Sequence, residues 1–320
     1  MTEELPRLKH NRELAAAYIS AQGNPPCWPK VSNQIETMPL QRDKLYANGY
    51  NPTIVEQDGS IFMCYRYHAG TLASKLAAAR IHPDTGSVES NWGVEAAGHS
   101  LEDPRFFKLS SGQLWMSWVE AYWPIKSQGS VRYGAFKGTA LAESARPEYG
   151  LNDGDHLEKN WVFFEHDGNI YFIYASHPKQ VVVRWSGKLE QEHVTPGPRW
   201  PYGEIKGGTP PVPYEGKLLR FFHSTLETEW QPPKRAYYIG ACLMNPEPPF
   251  ETVSVSRKPV IYGSTDDDLT PEARKACPHY KPKVVFPGGI IQRNGYWLLS
   301  LGANDCECVI AKITPENLNL

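Results

Sequence analysis

The stretch "DPRFFKLSSGQLWMSWVEA", residues 103–121, predicts two short apolar strands joined by a tight turn. Ser111-Gly112 supplies the glycine that such turns favour, and the aromatic residues on both flanks pack well on pleated sheets. The same layout returns at residues 51–68, 159–177, 209–225 and 286–305, with the turn glycines Gly59, Gly168, Gly216 and Gly295. The chain therefore contains five copies of one β-hairpin.

The spacing of the hairpins indicates how many strands each repeat contains. Successive hairpins begin 50 to 77 residues apart, which leaves room for about four strands each, as in a propeller blade. Apolar segments at 74–81, 131–136, 180–185, 236–243 and 309–313 predict third strands, and 249–263 predicts a fourth. We predict an all-β, five-bladed propeller over residues 41–320, with 1–40 as an N-terminal extension packed on it. A β-sandwich is the alternative, but it gives no reason for five repeats.

Charge and composition narrow the class of protein. The 320 residues carry 33 Lys plus Arg against 35 Asp plus Glu, so we expect no nucleic-acid partner. The charged start of the chain and the absence of a long apolar run predict a soluble, cytoplasmic protein with no membrane partner. The six scattered cysteines indicate neither a disulfide framework nor a zinc pattern, so we predict no metal and interpret Cys306 and Cys308 as reduced packing thiols.

The repeat also predicts a site. Because the innermost strand of each blade meets the axial funnel, equivalent positions from different blades converge on one pocket. Asp103 is the candidate acid, since a carboxylate there can transfer a proton to a glycosidic oxygen; a hydrogen-bonded turn aspartate is the alternative. Charge-assisted bonds from several directions suit a phosphate or sugar phosphate, for which the candidates are Arg66, Arg105, Lys159 and His223.

Five stretches together resemble glycoside hydrolase family 130, the β-mannoside phosphorylases and related hydrolases. They are "LEDPRFFKL" (101–109), "EKNWVFF" (158–164), "GEIKGGTPPVPYEGKLLRFFHS" (203–224), "YYIGACLMNPEPPFETVSVSRKPVI" (237–261) and "VVFPGGIIQRNGYWLLSLGANDCECVIAKI" (284–313). The resemblance implies a five-bladed propeller that acts on mannosides, with inorganic phosphate as the attacking group and Asp103 as proton donor through a sugar hydroxyl. It implies no other cofactor.

The repeat and the resemblance together assign site residues. Catalytic roles fall to Asp103 and Glu204, substrate binding to Asn51, Arg66, Glu102, Arg105, Glu120, Lys206 and Asp305, and phosphate binding to Lys159, Asn160, His177 and His223. The family's phosphorylases commonly have arginine where this chain has Lys159, and its hydrolases use glutamates, for which Glu204 and Glu120 are the nearest candidates. Phosphorolysis and hydrolysis therefore stay open.

Two further readings remain. The ending at 288–313 is also similar to propeller domains associated with glycosyltransferases, and a non-catalytic glycan-binding propeller would keep the aromatic residues without the chemistry. In each case the expected partner is an oligosaccharide or glycoside, and a homo-oligomer is compatible with the sequence.

Overall fold

The computed structural model describes residues 35–46, 48–68, 73–96, 98–122, 128–227, 235–262, 281 and 284–320. Most of the predicted extension lies outside these residues, so the division at residue 40 stays a prediction. Apart from the 3₁₀ turns Arg42–Lys44 and Pro315–Asn317, the described residues form strands and loops. No helix among them is long and apolar enough to cross a membrane.

Five antiparallel sheets form five blades, which confirms the predicted propeller. Blade one contains β2 (Tyr50–Gln57), β3 (Ser60–His68), β4 (Ser74–Ile81) and β5 (Val88–Val94). Blade two contains β6 (Ser100–Lys108), β7 (Leu114–Ala121), β8 (Gly129–Phe136) and β9 (Leu141–Ala145). Blade three contains β10 (Val162–His166), β11 (Asn169–Ala175), β12 (Lys179–Trp185) and β13 (Leu189–Pro196). Blade four contains β14 (Glu204–Gly208), β15 (Val212–Tyr214), β16 (Lys217–Glu227), β17 (Arg235–Met244), β18 (Thr252–Val255) and β19 (Ile261–Tyr262).

Blade five is built from both ends of the described chain. It contains β20 (Val285–Arg293), β21 (Tyr296–Ala303), β22 (Glu307–Ile313) and, outermost, β1 (Glu36–Thr37). Strand β1 pairs antiparallel with β22, Glu36 opposite Lys312. Two residues of the predicted extension therefore belong to a blade and join the first described strand to the last.

The core is divided into five apolar clusters, one between each pair of neighbouring blades. Successive side chains of a strand point to opposite faces, so an inner strand covered on both faces needs apolar residues in succession. Phe106 packs toward blade one and Phe107 toward blade three. Burying each such ring stabilises the fold by about 1.5–3 kcal/mol. This explains the paired phenylalanines in the repeats.

The openings of the inner strands are irregular in a repeated way. The strand register shifts after Tyr50, Glu102 and Ile205, as it does at β-bulges, which re-aim side chains. Asn51 (φ 50°), Asp103 (φ 51°) and Asn160 (φ 69°) adopt the left-handed conformation, which Asn and Asp tolerate best among non-glycine residues. Where the strands come closest, only glycine fits: a Cβ on Gly207 would lie 2.0 Å from the carbonyl oxygen of Asn160.

One cysteine prediction is wrong. Cys306 is disulfide-bonded, and its partner lies outside the described residues. Cys64, Cys242 and Cys308 are free and buried, as expected of packing thiols. Cysteine spacing could not reveal the bridge, because a disulfide depends on how the fold brings two cysteines together.

Candidate active site

Asp103 lies at the centre of a hydrogen-bonded cluster at the start of blade two. Its carboxylate is buried, and Asn51 Nδ2 donates to Oδ1 at 2.9 Å. Arg66 Nη1 lies 3.4 Å from the same oxygen, while Arg66 Nη2 donates to Glu102 Oε1 at 3.0 Å. Because both donors meet Oδ1, the other oxygen, Oδ2, is the one on which a proton can be exchanged.

The surrounding charges decide the protonation state of Asp103. Burial by itself would raise the pKa of this carboxyl, but Arg66, Arg105, the Asn51 hydrogen bond and Lys159 together hold the pKa below its usual value. Asp103 is therefore a carboxylate at neutral pH before any ligand arrives.

Arg105 is buried among the inner strands rather than displayed to solvent. Its Nε donates to the carbonyl oxygen of Gly208 at 3.0 Å, and its Nη1 donates to the carbonyl oxygen of Asp103 at 3.2 Å. The guanidinium lies 4.8 Å from the centre of the Phe286 ring. Burial lowers its pKa to about 10, and Nη2 is buried without a hydrogen-bond partner. This side chain links blades two, four and five and supports the backbone of Asp103.

His223 belongs to blade four and is held as a neutral ring. Burial first, then the charges of Lys206 and Arg105, lower its pKa to about 3. Its Nδ1 lies 2.6 Å from the carbonyl oxygen of Gly207. Since a carbonyl only accepts, Nδ1 carries the hydrogen, and Nε2 is left as a hydrogen-bond acceptor. The ring is fixed by stacking against Tyr237 at 6.1 Å.

Three further predicted residues lie near His223 and Asp103. Lys159 is exposed, and its charge reaches Asp103. Lys206 Nζ lies 3.9 Å from Glu204 Oε2, and its charge reaches His223. Asn160 is half-buried, packs its backbone against Gly207, and has a buried Oδ1 that lacks a hydrogen-bond partner. Lys159 and Lys206 supply positive charge beside the carboxylate, and Asn160 and His223 supply neutral polar groups.

Asp305 reaches the same site from blade five. It accepts a hydrogen bond from Lys281 Nζ at 2.7 Å, and its charge acts on Arg66 and Tyr50. Lys281 could not be selected from the sequence, because it lies outside the repeated hairpins.

Tyr50 is a second site residue that the sequence analysis did not select, although its position in the repeated hairpin indicated it. Its hydroxyl lies 3.0 Å from His68 Nε2, and the Arg66 guanidinium lies 4.7 Å from the centre of its ring. Tyr50 directly precedes Asn51, just as Glu102 directly precedes Asp103. Comparing equivalent positions of the repeated hairpins could therefore have identified Tyr50 as a site residue.

Two predicted residues lie in other surroundings. Glu120 accepts a hydrogen bond from Arg132 Nε at 2.5 Å within blade two, and Tyr122 lies 3.5 Å from the same carboxylate oxygen. His177 is half-buried just after β11, next to Ser176, whose hydroxyl accepts a hydrogen bond from Arg220. Their predicted roles rest on the sequence alone.

Solved structures share this architecture. The chain is similar to β-1,2-mannobiose phosphorylase from Listeria innocua, with a TM-score of 0.62, 11% identity, and coverage of 91% of this chain and 94% of that one. The chain has the fold of the mannoside phosphorylases. Among these phosphorylases, MPT-4 of Leishmania mexicana, a mannose phosphorylase solved with a phosphate ion, matches at a TM-score of 0.58 and 13% identity, covering 96% of this chain and 93% of that one.

Hydrolases share the mannoside phosphorylase fold as well. A structure from the study of glycoside hydrolase family 130 enzymes that target β-1,2-mannosidic linkages in Candida mannan matches at a TM-score of 0.57 and 15% identity, covering 92% and 93% of the two chains. No protein-family model matches the sequence, and no curated protein does. At such identities the likeness establishes the fold, and the chemistry must be argued from the site.

Proposed function

We propose that the protein is an inverting β-mannoside phosphorylase of the glycoside hydrolase family 130 type, with Asp103 as its acid. One observation carries this proposal: the buried carboxylate of Asp103, which Asn51 and Arg66 contact at a single oxygen, lies within the electrostatic field of Lys159. The buried carboxylate can transfer a proton to a sugar, and the positive charge of Lys159 can bind a phosphate.

In the proposed reaction, a phosphate oxygen forms a bond to the anomeric carbon while the glycosidic bond on the opposite face breaks. Asp103 gives its proton, through a sugar hydroxyl, to the departing oxygen. The products are α-mannose 1-phosphate and the shortened glycoside. Alignment of phosphate and sugar, with charge stabilisation by the basic residues, supplies most of the acceleration.

The lowered pKa of Asp103 fits this reaction if phosphate binds first. An acid must hold a proton, yet Arg66, Arg105 and Lys159 keep the unliganded carboxyl ionised. A phosphate dianion beside Lys159 offsets this positive field, so the pKa of Asp103 rises and the carboxyl takes up a proton from solvent. Binding of the nucleophile thereby prepares the acid.

The neutral His223 suits a hydroxyl rather than a bare phosphoryl oxygen. Its Nε2 accepts hydrogen bonds, because Nδ1 donates to Gly207. The monoprotonated phosphate and the sugar ring each offer an O–H group to such an acceptor. Charge on the phosphate is then met by Lys159 and Lys206, with Asn160 as a neutral ligand.

Hydrolysis is the second candidate, and Glu204 is the observation that favours it. Its carboxylate lies beside Lys206, 3.9 Å away, where a base could activate water. Glu120 is a poorer candidate base, since Arg132 already occupies its carboxylate.

The deciding experiment incubates the protein with β-1,2-mannobiose, with and without inorganic phosphate, and identifies the sugar products. We expect α-mannose 1-phosphate, formed only with phosphate, and a melting temperature that phosphate raises. Free mannose formed at an equal rate without phosphate, and lost in Glu204→Gln, would establish hydrolysis instead. Transfer from a mannose donor to an acceptor with no phosphorolysis would favour the transferase reading, and glycan binding without product would favour a binding module.

A further inference from the structure

A second cluster of ligating side chains lies at the far end of an inner strand. Strand β10 follows Asn160 at the funnel and ends at His166, whose Nε2 is 3.1 Å from Glu247 Oε2 and 3.5 Å from Asp167 Oδ2. One ligand atom from each residue lies within 4.8 Å of the others. Glu247 comes from blade four, 81 residues from His166, so the cluster exists only in the folded chain.

We propose that His166, Asp167 and Glu247 bind a divalent transition-metal ion of the zinc type. Imidazole nitrogen and carboxylate oxygen are donors that zinc takes, at about 2.0–2.2 Å, in a tetrahedral arrangement. Donors at that distance are separated from each other by about 3.3 Å. The two separations from His166 Nε2, 3.1 and 3.5 Å, bracket this spacing.

The imidazole is already oriented for this role. The His166 ring packs perpendicular to Phe250, with 5.3 Å between centres, and lies 6.3 Å from Tyr171. Only 17% of its side chain is exposed. A ring fixed on two sides loses little freedom when Nε2 binds a metal, which favours binding.

Both carboxylates are carried by short, well-defined turns. Asp167 (φ 47°) and Gly168 (φ 72°) form the tight hairpin turn between β10 and β11. Glu247 lies in the turn between β17 and β18, which is closed by a hydrogen bond from Phe250 N to Glu247 O at 2.8 Å. The ligands therefore belong to two braced turns rather than to long loops.

Charge favours a dication over a simple ion pair. Two carboxylates converge on one imidazole, so even a protonated His166 leaves one negative charge uncompensated, and the carboxylates repel each other. A divalent ion balances both. A groove of about 510 Å³, lined in part by His166, Asp167 and Lys108, leaves room for water as a fourth ligand.

A metal here would join blade three to blade four away from the funnel. It would add a link between their hairpin turns above the apolar cluster that already holds these two blades together. The expected effect is on stability, not on turnover, and the proposal is independent of the reaction assigned to Asp103.

The test uses the full chain, stripped of metal with a chelator that is then removed. Calorimetric titration with Zn²⁺ should show one ion bound by wild type, and zinc should raise the melting temperature. His166→Gln and Glu247→Gln should each weaken zinc binding at least about tenfold. The matched control is His156→Gln, because His156 Nδ1 lies 3.0 Å from Asp153 Oδ2 but, among the described residues, this pair belongs to no cluster of three ligating side chains. It should bind zinc like wild type.

Absence of zinc binding by wild type would overturn the proposal, as would a loss of binding in His156→Gln with none in His166→Gln. The Glu247 side chain is 69% exposed, so Glu247→Gln should fold normally and carries the test if His166→Gln proves unstable. Zinc binding that survives Glu247→Gln at full affinity would equally overturn it.

Discussion

The two sides of the funnel differ in how their polar side chains are connected to one another. On the acid side, defined by Asn51, Arg66, Glu102 and Asp103, hydrogen bonds and ion pairs join all four residues. On the basic side, defined by Lys159, Asn160, Lys206 and His223, Lys159 is exposed, the Asn160 Oδ1 atom lacks a partner, and His223 is neutral. The acid side is therefore one connected network, with Asn51 Oδ1 and Arg66 Nε buried outside it, whereas the basic residues are held separately, His223 by Gly207 and Lys206 beside Glu204.

The largest expected effect comes from removing the charge at the centre of the acid side. Asp103→Asn keeps an oxygen for Asn51 and Arg66 and tolerates the left-handed backbone, but cannot transfer the proton. We expect turnover to fall by about 10²–10⁴-fold, the usual contribution of a general acid, with the fold retained and a lower melting temperature, because Arg66 and Arg105 lose a paired charge. Assay of sugar phosphate release measures the loss.

The matched control is Asp58→Asn, at another left-handed aspartate (φ 51°), in the β2–β3 turn. It should leave turnover unchanged. Retention of wild-type activity in Asp103→Asn would show that Asp103 is not the acid. The acid side would then have no role in proton transfer.

The next effect tests whether the acid side is held together by Arg66. Arg66→Gln leaves two neighbouring carboxylates, Glu102 and Asp103, without their shared cation. We expect the free energy of unfolding to fall by about 3 kcal/mol, somewhat less than for a fully buried pair because Glu102 is partly exposed. Urea denaturation should show a lower midpoint with an unchanged slope.

A double-mutant cycle provides the control for that prediction. Glu102→Gln combined with Arg66→Gln should cost less than the two single changes added together, because the second change removes a charge left unpaired by the first. Strict additivity would show that this ion pair does not organise the acid side.

The sequence could bring the residues of the acid side together because they belong to the repeat. The five hairpins fix which residues open each inner strand, and the fold brings those openings together. Backbone position alone does not fix the direction of a side chain, however. Arg66 pairs with Tyr50, and the equivalent pair in blade two is Val119 with Glu102, so Glu120 lies one residue further and faces the other side of the sheet. Its contact with Arg132 follows from that offset.

Features outside the repeat could not be predicted in the same way. Lys281 reaches Asp305 from a segment outside the five hairpins, and Cys306 is disulfide-bonded to a cysteine outside the described residues. The β1 strand completes blade five through only two residues, too few for a hydrophobic pattern to signal. Each depends on the three-dimensional path of the chain.

A third prediction concerns the basic side and its pH dependence. The pKa of His223 is about 3 in the folded protein and about 6.5 in an unfolded chain. The neutral ring therefore contributes stability above pH 6.5, which is lost as pH falls toward 3, by up to about 1.4 kcal/mol per pH unit. His223→Asn, which keeps a donor for Gly207, should remove this slope. Denaturation at pH 7, 6 and 5 tests it.

The exposed His156 gives the comparison for that measurement. His156→Asn changes an exposed ring far from the funnel in the sequence, so the loss of stability between pH 7 and pH 5 that is assigned to His223 should persist in it. Parallel curves for wild type and His223→Asn would mean that His223 can take up a proton in the folded state, and its assignment as a neutral acceptor would be wrong.

The smallest expected effect is an increase, not a loss, of phosphate affinity on the basic side. Lys159 offers phosphate a point charge, whereas arginine offers two parallel donors that match two phosphate oxygens. Lys159→Arg should therefore tighten phosphate binding by about three- to tenfold, measured as a lower KM for phosphate and a larger rise in melting temperature at fixed phosphate. Lys137→Arg, an exposed change on blade two, should do neither. Weaker phosphate binding in Lys159→Arg would show that the pocket is shaped for the compact ammonium group, so that lysine here is a requirement of the site and not a weakened form of an arginine site.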